Sequence, residues 1–128
     1  MQIDEVSAIV VDECIAIHRE LGPGLFEVVY ESILAGTLEA RGLKIARQVP
    51  VPLAFDSKTF EASFRIDIPV DDRLVVEIKA VDQLSKAHAK QLLTYLRILK
   101  LPVGLLLNFS EATMKEGIRR MVNDYKPE

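Results

Sequence analysis

The chain has 128 residues, enough for one domain with a substantial core and too few for two ordinary ones. Hydrophobic residues make up 49% and charged residues 27%, which excludes the disordered and fibrous classes. A formal net charge of -3 excludes general electrostatic attraction to nucleic acid, so any polyanion must be met locally.

Cys14 is the sole cysteine, so no disulfide can form within the chain. It lies among apolar residues in a helix-like segment and reads as a small buried hydrophobe rather than a reactive thiol. The opening MQIDEVSAIV lacks a basic n-region, and no apolar run approaches the ~18 residues that cross a bilayer. The expectation is one domain over residues 1–128, cytoplasmic, with no membrane segment.

Val6, Val10, Cys14, Ile17 and Leu21 recur at three and four, which predicts one face of a helix. LGPG ends it, because Gly22 and Gly24 flank Pro23. A second helix is predicted from near Leu25 through FEVVYESILAGTLEA, with Val29, Ile33 and Leu34 inward and Gly42 as its C-terminal cap. KIARQVPVPLAF is β-rich, but Pro50 and Pro52 predict an edge or irregular strand, since proline donates no ladder hydrogen bond. DSK is a predicted turn, and TFEASFRIDIPV and LVVEIKAV flank DDR as the arms of a hairpin. Helical periodicity returns over 85–100, LPVGLLLNF reads as a short buried strand, and EATMKEGIRRMVNDY as a final helix. Three meandering strands followed by a crossover helix and a fourth strand describe a mixed α/β layer.

The hairpin places charges where apolar residues would serve a sheet better. With a three-residue loop, Asp71 to Arg73, Val70 faces Leu74, Ile68 faces Val76 and Ile66 faces Ile78 on one side. The other side then pairs Asp67 with Glu77 and Arg65 with Lys79. A two-residue loop would scatter apolar residues over both faces. Directly opposed carboxylates repel unless positive charge lies between them, and oxygen ligands of this kind suit Mg²⁺ or Mn²⁺. Lys79, on the same face as Glu77, is placed to orient or deprotonate an attacking water or to stabilise developing negative charge. The alternative is a ladder of salt bridges in which Arg65 and Lys79 neutralise Asp67 and Glu77. Against it, VVEIKA is mostly apolar and precedes a crossover helix, as a central strand does, and buried charges there are costly unless paired or metal-bound.

Two further stretches are candidates to complete the pocket. His88, Gln91 and Tyr95 share one helical face, and the Gln91 amide could hold a water or a phosphate oxygen. Glu27 and Tyr30 share a face near a helix start, where Glu27 could supply a third carboxylate. Each has a structural alternative: core packing for Tyr30 and Tyr95, the helix dipole for Glu27, a local hydrogen bond for His88. Residues 1–64 carry 5 basic and 10 acidic side chains, whereas 65–128 carry 11 and 9. Lys86, Lys90 and Lys100 are therefore candidate phosphate contacts, with a solvated helix face as the alternative. No His/Cys cluster has zinc spacing, and neither a Gly-rich phosphate loop nor a Gly-x-Ser-x-Gly elbow occurs.

HRELGPGLFEVVYESIL, RGLKIARQVPVPL, RIDIPVDDRLVVEIKAV and QLLTYLRILKLPVGLLLNF, in this order, resemble the small GxxExxY proteins of the PD-(D/E)XK nuclease superfamily. Gly24, Glu27 and Tyr30 match the name motif, Asp67 the first acidic position of the nuclease signature, Glu77-Ile78-Lys79 its E-x-K, and Gln91 and Tyr95 the motif on the following helix. The resemblance spans His18 to Phe109. It implies a restriction-endonuclease-like α/β core, a mixed four-stranded sheet flanked by helices, with phosphodiester hydrolysis, chiefly of DNA, as its chemistry. On that resemblance Asp67 and Glu77 bind Mg²⁺ or Mn²⁺, Glu27 is an additional metal-binding or water-positioning acid, Lys79 assists the water and Gln91 steadies the site. The competing readings are a non-enzymatic nucleic-acid or protein interaction module, and a subunit completed by a homodimer mate or a larger partner.

Overall fold

The computed structural model describes residues 1–127, apart from the side chains of Ala62 and Ser63, which fall within the expected TFEASFRIDIPV arm. Helix α1, Ile3–Leu21, buries the expected face of Val6, Val10, Cys14 and Ile17. Leu21 is exposed instead; His18 is the buried residue of the last turn, its Nε2 2.9 Å from the Glu111 carbonyl oxygen. Gly22 ends the helix at φ +69, its N–H donating to the His18 carbonyl.

Helix α2, Glu27–Ala40, buries Tyr30, Glu31, Leu34, Ala35 and Leu38, so the inward face is centred one residue beyond Val29, which is exposed. Tyr30 sets that rotation. Its ring stacks on Phe109 at 4.3 Å, and its hydroxyl donates to the Gly22 carbonyl at 2.5 Å while accepting the Leu25 N–H at 3.2 Å. Gly42, at φ +85, closes the helix as predicted: the Leu43 N–H bonds the Leu38 carbonyl and the Gly42 N–H bonds the Glu39 carbonyl.

Strands β1, Val49–Phe55, and β2, Lys58–Ile66, form a separate antiparallel ribbon. Its two-residue turn has Asp56 and Ser57 both at positive φ, and its register shifts between Val51 and Leu53, around Pro52. Strand β3, Ile68–Val70, pairs with β4, Leu74–Lys79, in the expected register around the Asp71 to Arg73 loop. After α3, Lys86–Leu99, comes β5, Val103–Asn108, parallel to β4. Gly104 leaves room for Leu92 of α3, which lies 3.0–3.2 Å from where a Cβ would stand.

The final helix is corrected. Only Met114–Gly117 is helical (α4), and Ile118–Val122 is a strand (β6) antiparallel to β5. The apolar spacing of Ile118, Met121 and Val122 mimics a helix, but the open side of β5 presents backbone groups that need partners. The meander is corrected too, because the chain changes sheet at Asp67: β1 and β2 stand apart, and the mixed sheet runs β3-β4-β5-β6.

That sheet is flanked on both faces. Ile68, Val76, Ile78, Leu105 and Leu107 pack with α1 and α2 in one cluster. Val75 and Leu106 pack with Leu92 and Leu96 of α3 and with Val51 and Ile66 of the ribbon in the other. Each fully buried aliphatic side chain contributes about 1.5–3 kcal/mol over its exposed state. The central strands β4 and β5 are almost wholly buried and so form the core platform of the fold.

Candidate acidic site on the central strand

The break at Asp67 creates the site. Ile66 belongs to one hydrophobic cluster and Ile68 to the other, so the chain rotates between them. Ile66 and Arg65 consequently pair with Val49 and Pro50 of the ribbon, not with Ile78 and Lys79 as the extended hairpin predicted. Where the β3–β4 ladder stops, side chains replace it: the Asp67 N–H donates to Glu77 Oε1 at 3.2 Å, and the Ile78 N–H donates to Asp67 Oδ2 at 2.8 Å. The two acids are adjacent, and no ion pair joins either to Arg65 or Lys79 among the described residues.

Glu77 is only 6% exposed. Burial, and then the neighbouring Asp67 charge, push its carboxyl up to about 8, with the Lys79 charge opposing. Lys79, two residues along the strand and half-buried, thus acts on Glu77 through its field rather than through a contact.

Helix α3 looks onto this pair. The Tyr95 ring stacks on Phe64 of β2 at 4.1 Å, and burial followed by the charges of Glu77 and Asp67 raises its hydroxyl above the ordinary phenol range. Gln91, one turn earlier on the helix, opposes that rise. Glu27, the first residue of α2, reaches the same strand end: its Oε1 accepts the Ala80 N–H at 3.2 Å. It also lines, with Glu31, Arg47, Gln48 and Asp67, a cleft of about 250 Å³.

Other expected residues lie elsewhere. Tyr30 is a fully buried clamp on the turn that delivers Glu27. His88 caps α3, its Nδ1 accepting the Ser85 N–H at 3.0 Å and its own N–H donating to Ser85 Oγ. Lys86 and Lys90 are exposed on α3, and Lys100 lines a separate cleft with Arg97, Pro102, Asn123 and Asp124.

Four residues near the acids escaped the sequence reading. Glu31 is 4% exposed and bonded by Arg47 and Gln48, and Gln48 also bonds Asp67. Asn108 is fully buried; its amide donates to the Val81 carbonyl and accepts the Val81 N–H, latching the chain that leaves β4 onto β5. Asn108 had a signal, a polar residue ending the apolar run VGLLL. Glu31 had one as well, four residues after Glu27 on one helical face, whereas Arg47 and Gln48 had none.

A mixed sheet with a carboxylate pair at the exit of its central strand and E-x-K spacing on that strand defines an α/β protein of the restriction-endonuclease-like kind. The sequence profile of the PD-(D/E)XK nuclease superfamily matches residues 4–121, and the chain belongs to that superfamily. No curated protein and no solved structure matches it. Among the described residues, no group of three or more His, Cys, Asp or Glu is placed to hold a metal ion, and no helix is long and apolar enough to cross a membrane.

Proposed function

We propose that the protein is a metal-dependent phosphodiester hydrolase acting on DNA, of the GxxExxY type within its superfamily. One observation carries the reading: a buried glutamate stands against an aspartate, with no basic side chain ion-paired to either among the described residues. Two carboxylates this close in a partly dry setting do not both stay ionised without positive charge between them: a proton on Glu77 meets that need in the ion-free protein, and a divalent cation meets it in the proton's place. The donor set fits a hard divalent ion, because it consists of carboxylate oxygens, and Mg²⁺ and Mn²⁺ accept few protein ligands while keeping water and substrate phosphate for the rest.

Asp67 and Glu77 would hold the ion, with Glu27 a third acid at the rim. When bound, the ion supplies Lewis-acid polarisation and charge neutralisation at the phosphoryl group. Lys79, on the Glu77 face, then orients the attacking water or stabilises the charge developing on phosphate oxygens. Gln91, one turn before Tyr95 on α3, steadies a water or phosphate oxygen on that side.

Calorimetric titration of Mg²⁺ and Mn²⁺ into the wild type and Asp67→Ala/Glu77→Ala, with circular dichroism as the folding control, tests the site. Binding confined to the wild type is the expected result, followed by DNA cleavage that both single substitutions abolish. Cleavage that survives both would overturn the assignment.

A second reading has its own observation: Phe26 is 83% exposed and, with Leu25 and Val28, lines the cleft shared with Glu27 and Ala80. An apolar surface beside an incomplete ligand set supports a site finished by a partner or a second copy. In a purely binding role, ions leave nucleic-acid affinity unchanged, while neutralising Lys86, Lys90 or Lys100 weakens it and reduces its salt dependence.

A further inference from the structure

Gln48 is the most constrained residue near the acids. Its backbone sits at φ 50, a left-handed conformation that a non-glycine side chain adopts only when its surroundings impose it. Its N–H donates to the Asp67 carbonyl at 2.9 Å. Its Nε2 donates to Asp67 Oδ1 at 3.0 Å and to Glu31 Oε1 at 2.6 Å. An amide facing two carboxylates can present only its NH₂ end, so both side-chain hydrogens are committed. Behind it, Glu31 Oε2 receives Arg47 Nε at 3.1 Å and Arg47 Nη2 at 2.9 Å.

We propose that Gln48, held by the buried Glu31 and its exposed partner Arg47, is a positioning residue that aims the Asp67 carboxylate and so sets the protein's affinity for a divalent cation. The inference rests on the metal-site reading above. Gln48 fixes Oδ1 and the Ile78 N–H fixes Oδ2, so each Asp67 oxygen has one set donor and keeps lone-pair capacity for an ion. Arg47 matters through charge. A bare Glu31 would put a third negative group beside Asp67 and Glu77, and the guanidinium cancels it while leaving Oε1 free to anchor Gln48. Outer partners of this kind typically shift metal affinity by about 10–100-fold.

The test is Mn²⁺ titration calorimetry on the wild type, Gln48→Ala, Gln48→Gly, Glu31→Gln and Glu13→Gln, with thermal unfolding of each without metal. Gln48→Gly separates positioning from backbone strain, because it loses the same side-chain bonds as Gln48→Ala while glycine relaxes the left-handed backbone: its thermal midpoint should match or exceed that of Gln48→Ala. Both Gln48 variants and Glu31→Gln should nevertheless bind Mn²⁺ about 10–100-fold more weakly. Glu13→Gln, which breaks the remote Arg41–Glu13 pair, should bind as the wild type does. Gln48 variants with affinity within twofold of a metal-binding wild type would overturn this inference and leave the metal-site reading standing. A wild type that binds neither Mn²⁺ nor Mg²⁺ would overturn both.

Discussion

Asp67 and Glu77 are joined through backbone as well as through charge: the Asp67 N–H donates to the Glu77 carboxylate, and Asp67 in turn accepts the N–H of the residue after Glu77. Each acid occupies a hydrogen-bonding place that a continued ladder would have filled. The pair is therefore set by the sheet itself, and burial at that point gives Glu77 its high affinity for a proton.

This fixes a pH dependence. Glu77 is raised from 4.5 to about 8 by folding, so between those values the folded state binds more protons than the unfolded state. Stability of the ion-free protein should fall as pH rises through that window, by on the order of 3–5 kcal/mol for this group. Urea unfolding at pH 5 and pH 8 reads the slope, and Glu77→Gln should flatten it. Saturating Mn²⁺ should oppose it, since the ion selects the ionised carboxylate.

Tyr30→Phe keeps the stack on Phe109 but removes the hydroxyl that ties Gly22 to Leu25. A loss of about 1 kcal/mol is expected in urea unfolding. Amide exchange at Leu25 should quicken more than exchange in the α2 interior, because the turn before Glu27 loses its tie.

Cys14 is fully buried, and burial pushes its thiol up to about 12. An aromatic disulfide reagent at pH 8 should leave the folded protein unmodified and react with one thiol per chain in denaturant. Prompt labelling of the folded state would contradict this burial.

Gly117 and Gly36 should respond in opposite directions to alanine. A Cβ at Gly117 would overlap the Asn108 carbonyl oxygen, a backbone atom of β5, and should cost about 2–3 kcal/mol. Gly36, inside α2, has nothing within 4 Å, and Gly36→Ala should stabilise by about 0.5–1 kcal/mol. Denaturant midpoints of the two variants decide it.

The sequence by itself determined what depends on near neighbours. The apolar stripe from Val6 to Ile17, the cap at Gly42, the helix from Ser85 to Lys100 and the three-residue loop after Val70 follow from side-chain period and turn chemistry, which act within a few residues. The adjacency of Asp67 and Glu77 was legible for the same reason, because a hairpin's loop length fixes its register. Only the tertiary structure decided the rest. Ile118–Val122 is a strand because the unpaired edge of β5, contributed by residues 103–108, outweighs a weak helical pattern. The chain breaks at Asp67 because Ile66 and Ile68 are claimed by cores on opposite faces of one sheet. Gln48 meets Asp67 across 19 positions of chain, and Glu31 meets Arg47 and Gln48 across 16 and 17, and no local periodicity records a contact closed by packing at that range.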